Sequence, residues 1–241
     1  MRKAKIVSIL CLMVCVTAVL YGTKFIGLYG TDSGNTYPPV AAFLDTVDNY
    51  PGHITIGPIP HYCSNWDTAN NAYNTGVDDA QFVYTCEHGS PWAISTNNGT
   101  CNFNGYSFGG SSHMGWGDDQ LNWIVLYSCQ VICSPLETSD WWSVWMANNP
   151  YDVMDGVHII NGFRTNAYVS PAVSVSTHYA DYICTGGEIL TTWFHAVWNY
   201  SYCSSSSYDK ACAVFSPPSQ SDTLTSYSSD PAPSSLYCWY Y

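Results

Sequence analysis

The run Ala80-Gln81-Phe82-Val83-Tyr84-Thr85-Cys86-Glu87 leads into His88-Gly89, and Asn122-Trp123-Ile124-Val125-Leu126-Tyr127-Ser128 leads into Cys129. Both are short, rich in β-branched and aromatic residues, and bounded by polar, Gly-rich segments, the pattern of buried strands. If the two strands are parallel neighbours, their carboxyl ends lie about 4.8 Å apart. A histidine past one end and a cysteine past the other then share a crevice, and open α/β sheets bind ligands at such crevices.

The neighbouring segments fit a sheet of that kind. Lys24 to Gly30 reads as a first strand and His53 to Ile56 as a short second one, with a helix over Pro38 to Tyr50 between them. In that helix Val40, Phe43, Leu44 and Val47 keep one apolar face, and prolines stand at its start, where they are tolerated. Residues 61–79 are polar, and residues 95–119, rich in Gly, Asn and Ser, read as an extended loop. A Trp-rich helix or helical turn around Ser139–Asn149 precedes a strand over Gly156–Gly162. Val175–Ile183 and Glu188–Asn199 read as helices parted by Gly186-Gly187. Alternating strands and helices imply crossover connections and an α/β fold with a mainly parallel sheet flanked by helices.

Three domains of composition follow. Residues 1–22 read as a signal peptide or N-terminal anchor, with basic Arg2, Lys3 and Lys5 before an apolar stretch from Ile6 to Leu20. Residues 23–199 are the α/β domain, and residues 200–241 are a Ser-, Tyr- and Pro-rich extension that keeps Cys203, Cys212 and Cys238. Such a leader predicts a secreted or cell-surface protein. Setting aside Arg2, Lys3 and Lys5 takes the formal net charge from −12 to −15 and leaves Lys24, Arg164 and Lys210 as the basic residues. That balance excludes a nucleic-acid binder, which must neutralise phosphates, and any membrane contact apart from the leader.

Beyond the leader, cysteines stand at 63, 86, 101, 129, 133, 184, 203, 212 and 238. An exported chain with this many is expected to hold disulfides, and an odd number leaves one thiol over. The simplest accounting pairs Cys63, Cys86, Cys101, Cys133, Cys184, Cys203, Cys212 and Cys238, pins the C-terminal extension, and leaves Cys129 as a nucleophile. A bridge from Cys129 to Cys86 or Cys133 competes with that reading, and an intermolecular bridge fits the odd number equally well. Asn98 and Asn199 each begin a glycosylation sequon.

The strand–His-Gly and strand–Ser-Cys pair, His88-Gly89 and Ser128-Cys129, resembles the caspase-like cysteine peptidases, the group of caspases, legumains and gingipains. GVHIINGFRTNAY (156–168) and HYADYICTGGEILTTWFHAVWN (178–199) are similar to segments of an uncharacterised family of secreted prokaryotic proteins with this fold. The resemblance implies a caspase-like sheet and a secreted cysteine peptidase acting on a peptide or protein substrate. Cys129 is then the nucleophile, His88 the general acid/base, and the N–H groups of Gly89 and Cys129 the oxyanion hole. Arg164, past a strand end, is a candidate for binding a substrate carboxylate, with an internal ion pair as the alternative.

No cofactor or metal is expected. His113 with His88 and Asp118 lacks ligand spacing, and His158 and His195 read as core or surface residues. The Tyr and Trp content exceeds what a core requires and suits interfaces. The alternative function is therefore a non-catalytic extracellular structural subunit of a surface layer or filament, self-associating through aromatic contacts and disulfides. A glycan-binding module is a third reading with no spacing to carry it.

Overall fold

The computed structural model describes residues 22–66, 76–103, 116–117, 119–146, 153–154, 156–231 and 235–241. Residues 1–21 of the proposed leader, His113 and Asp118 lie outside them. Among the described residues no helix is long and apolar enough to cross a membrane.

Seven strands form the central sheet: β1 (Lys24–Tyr29), β2 (Ile54–Pro60), β3 (Phe82–Cys86), β7 (Trp123–Tyr127), β8 (Ile159–Phe163), β9 (Ala211–Phe215) and β10 (Tyr237–Tyr240). Their spatial order is β10-β9-β8-β7-β3-β1-β2. The five strands β2, β1, β3, β7 and β8 run parallel, while β9 is antiparallel to β8 and β10 to β9. The mainly parallel α/β architecture is as expected. A three-stranded sheet of β4 (Gly89–Ser90), β5 (Ala93–Thr96) and β6 (Gly99–Asn102) follows β3 directly. The start of the expected 95–119 loop is thus a β5–β6 hairpin.

Both faces of the sheet are covered, which is why its central strands read as unbroken apolar runs rather than alternating ones. Every residue of β3 and β7 is buried. One face carries Phe25, Phe82, Tyr84, Trp123, Val125 and Tyr127 against α1 (Ser33–Asp48), α2 (Ala172–Cys184) and α3 (Ile189–Tyr200). The other carries Ile26, Val83, Ile124 and Leu126 against Trp66, Phe103, Trp116 and Trp145. The Trp-rich segment is a series of hydrogen-bonded turns up to Met146, and it contributes Trp145 to this second core.

Helix α1 begins at Ser33, five residues before the expected proline start, so that Pro38 and Pro39 lie inside it. Its first turn is closed on the Asp32 carbonyl, which accepts from the N–H groups of Asn35 at 3.0 Å and Thr36 at 2.8 Å and from the Thr36 hydroxyl at 2.8 Å. The backbone and hydroxyl bonds on Asp32 hold the turn ahead of the prolines.

Two expectations need correction. Among the described residues the disulfide is Cys63–Cys101, joining the turn after β2 to β6, whereas Cys86, Cys133, Cys184, Cys203, Cys212 and Cys238 are thiols. The C-terminal extension is held here by strand pairing, with its cysteines as thiols: it supplies β9, all of it buried, and β10, and so completes the sheet. Short apolar runs inside a Ser- and Tyr-rich composition hid those strands from a reading based on composition.

Candidate active site at the carboxyl ends of β3 and β7

The β3–β7 ladder pairs Phe82 with Trp123 and ends with Cys86 opposite Tyr127. The Glu87 N–H continues it, donating to the Tyr127 carbonyl at 3.3 Å. His88 and Cys129 each stand two residues beyond the final pair, so register alone brings them to the same end of the sheet. Gly89 closes the approach. A Cβ there would lie 2.7 Å from the Cys129 carbonyl oxygen, 2.8 Å from the Ser128 Cβ and 3.2 Å from the Cys129 nitrogen. Only a residue without a side chain lets the His-Gly turn sit on the Ser-Cys turn.

After Cys129 the chain leaves the strand direction at Gln130, which has φ +55° and donates its N–H to the Thr165 carbonyl at 2.9 Å. A non-glycine residue at positive φ costs free energy and is held by its surroundings. Here it turns the chain that follows Cys129 toward Thr165. Cys129 is half-buried and unbridged. Its Sγ accepts from the Ala167 N–H at 3.4 Å and lies 3.6 Å from the Ala167 carbonyl oxygen. The competing bridge to Cys86 is absent, because Cys86 is itself a buried thiol. Burial, with Glu87 and Cys129 nearby, pushes the Cys86 thiol well up, so it stays neutral and is no nucleophile.

His88 projects outward with 58 % of its side chain exposed, and its Nε2 lies 3.8 Å from Oδ2 of Asp32. Asp32 follows β1, the strand on the other side of β3, so three adjacent parallel strands send one reactive-type side chain each to the same end. Asp32 escaped the sequence reading. Extending the strand-end argument from β3 and β7 to β1, whose run ends at Gly30, would have found it.

Beneath these residues lies a buried polar layer that periodicity did not signal. The His61 Nδ1 is 2.5 Å from Oε2 of Glu87, and both side chains are wholly buried. The Trp66 indole N–H donates to His61 Nε2. Indole nitrogen is a donor only, so Nε2 accepts, and the Nδ1 proton is the one given to Glu87. Glu87 Oε1 accepts from the Thr85 hydroxyl at 2.7 Å, and the Glu87 carbonyl accepts from the Ser128 hydroxyl at 2.9 Å. The ends of β2, β3 and β7 are thereby joined under His88 and Cys129.

Other candidates separate from the site. Arg164 donates to Glu137 Oε1 at 2.7 Å and to the Tyr241 carbonyl, so its guanidinium serves an internal clasp. His158 is fully buried beside the start of β8 with Nδ1 2.5 Å from Asp222, at the opposite end of the sheet. His195 is exposed on α3. Asn98 is exposed in the β5–β6 turn, its side-chain oxygen accepting from Cys63 N–H at 3.0 Å. Asn199, at the end of α3, donates its side-chain amide to the His195 carbonyl at 2.9 Å. Among the described residues no three His, Cys, Asp or Glu side chains are placed to hold a metal ion.

Residues 64–230 match the family described as a domain of unknown function, DUF6345. The chain belongs to this family. The matched span includes both strand ends, His88 and Cys129, and leaves β1 with Asp32 outside. No curated protein matches the chain. Among solved structures, it is similar to the crystal structure of the Arg specific cysteine proteinase gingipain R, with 12 % identity and a TM-score of 0.49. That alignment covers 90 % of this chain and 48 % of the proteinase, so the chain spans about half of its length. Residue roles in this family member therefore rest on the geometry above.

Proposed function

We propose that the protein is a cysteine hydrolase of the peptidase type, with Cys129 as nucleophile and His88 as general acid/base. The observation that carries this reading is an unbridged, half-buried thiol that β3–β7 register brings to the same end of the sheet as an exposed imidazole, with Gly89 seated on the cysteine's own backbone. Cys129 sulfur attacks the scissile carbonyl carbon, its proton passing to His88, and the carbonyl electrons move to oxygen. The N–H groups of Gly89 and Cys129 receive that oxyanion. Collapse expels the amine, which takes the proton from His88 and leaves a thioester. Water, deprotonated by His88, then cleaves the thioester and restores the thiol. Asp32, 3.8 Å from the imidazole, acts as a positioning residue. Arg164 is committed elsewhere, so substrate binding falls to other groups.

The test is a hydrolysis screen with a mixed peptide library and a parallel iodoacetamide time course. Cys129→Ala should abolish turnover, and His88→Ala should lower it about 10²–10⁴-fold and slow alkylation of Cys129. Alkylation of Cys129 at equal rates with and without His88 would overturn the proposal.

A structural-subunit reading keeps one specific support. Edge strand β10 and the chain end expose Tyr237, Trp239, Tyr240 and Tyr241, and an unpaired edge is a template for pairing between chains. Light scattering across a concentration series separates the two readings: a monomer at all concentrations sinks the subunit.

A further inference from the structure

The outer edge of the seven-stranded sheet carries two thiols. In the β9–β10 pair Cys212 stands opposite Tyr240 and Cys238 opposite Val214. Residues two apart along a strand share a face, so the two cysteines are diagonal neighbours on the same side. Their Sγ atoms lie 3.5 Å apart. Cys212 is buried and Cys238 half-buried, so the pair meets solvent through Cys238.

We propose that Cys212 and Cys238 form an oxidation site that closes a second intrachain disulfide and locks β10 onto the sheet. The thiols must approach from 3.5 Å to about 2.05 Å. Side-chain rotation and a small shift of β10 supply this, because among the described residues β10 has a strand partner on one side only. The chemistry is thiol–disulfide exchange with a disulfide oxidant, either a small-molecule disulfide or an oxidoreductase. Cys238 sulfur attacks the oxidant and releases one thiol. Cys212 then loses its proton, attacks the mixed disulfide at Cys238 and releases the second thiol. The oxidant takes up the two electrons, as it must in forming Cys63–Cys101.

The bridge has a structural consequence. Strand β10 is four residues long and stands last in the strand order of the sheet. Outside the ladder it is tied by the Arg164 bond to the Tyr241 carbonyl, by the Tyr241 N–H bond to the Ala211 carbonyl at 3.2 Å, and by the rings of Trp239 and Tyr241 packed on Phe194. Together with Phe194 and Trp198 of α3, residues Cys238, Trp239 and Tyr241 line a cleft of about 650 Å³. Oxidation would fix one wall of that cleft.

Cys133 is the rival partner. Its thiol is pushed up to about 11 by burial, then by Glu137 and Cys238, which places it within electrostatic reach of Cys238. Trypsin separates the possibilities. Cleavage after Lys210 releases Ala211–Tyr241, which holds Cys212 and Cys238 and no other cysteine, while Cys133 falls in the fragment ending at Arg164. The full chain is equilibrated with oxidised glutathione, denatured in N-ethylmaleimide, digested and weighed. The expected Ala211–Tyr241 fragment is unlabelled and lighter by two hydrogens, and it takes two labels after reduction. Two labels without reduction, or a fragment joined to any other, would overturn the proposal. Melting gives a second readout: Cys238→Ser should lie about 5–10 °C below the wild type after oxidation and level with it in dithiothreitol. Equal midpoints in both conditions would also overturn it.

Discussion

At Gly89 the residue type is dictated by backbone atoms of a different strand. The nearest obstacle to a side chain is the Cys129 carbonyl, which cannot swing aside as a flexible side chain could. Gly89→Ala should force the His-Gly and Ser-Cys turns apart by several tenths of an ångström or more. Because displacement near 1 Å can cost about 10²-fold in rate, the variant is expected to lose about 10-fold to 100-fold in turnover while remaining folded. Far-UV circular dichroism alongside the kinetics distinguishes this from unfolding; unchanged turnover would show that the two turns are not a reacting pair. His88, Gly89 and Cys129 were legible in the chain because each follows a strong strand pattern. Asp32, His61 and Glu87 were not, because their roles depend on which strands are neighbours, and that order is a property of the sheet.

At the scale of elements, the helical layer depends on aromatic stacking across α1 and β3. Phe43 is fully buried, with its ring 4.3 Å from Tyr84 and 5.5 Å from Phe82. Phe43→Ala removes that ring from between helix and sheet and should cost about 3–5 kcal/mol, read as a lower urea midpoint at unchanged slope. A loss below about 1 kcal/mol would mean that α1 is not docked as described. The helices α2 and α3 fall close to the spans expected from periodicity and the Gly186-Gly187 break. Helix α1 was misplaced at its start because local rules put proline at a helix beginning, whereas the Asp32 carbonyl gathers the preceding turn. Strand β9 was missed because five apolar residues inside a polar tail carry little weight until they pair with β8.

For the whole molecule, the C-terminal region is integral. Pairing of β9 with β8 runs from Ile159–Phe215 to Phe163–Ala211, so a chain ending at residue 199 would expose the flank of β8 and part of the helical core. Such a truncation is expected to be insoluble or molten, with no cooperative melting transition; a sharp transition near that of the full chain would overturn this. The clasp of Glu137, Arg164 and Tyr241 adds a pH dependence. Burial raises the Glu137 carboxyl, but the Ser134 hydroxyl and N–H bonds and Arg164 outweigh it, and the net shift is downward. A carboxyl lowered by folding contributes stability above its unfolded value, and this is lost as pH falls through the lowered one. Glu137→Gln should therefore lower Tm by about 1–3 °C at neutral pH, with the difference shrinking as pH falls below the ordinary carboxylate range. An equal difference at neutral and acidic pH would exclude the ionic contribution.

The chain by itself determined that a mainly parallel sheet exists and that a histidine and a cysteine end two of its strands. These follow from hydrophobic runs and turn residues, which act over a few residues. Tertiary structure decided the strand order, and with it the arrival of Asp32 beside His88. It also decided that Cys63 pairs with Cys101, that Cys129 stays unbridged, that Arg164 is spent on Glu137, and that the tail completes the sheet. Each of these is a pairing between residues distant in the chain. Local propensity carries no information about such pairings, because burial and hydrogen bonding choose partners only after the sheet has closed.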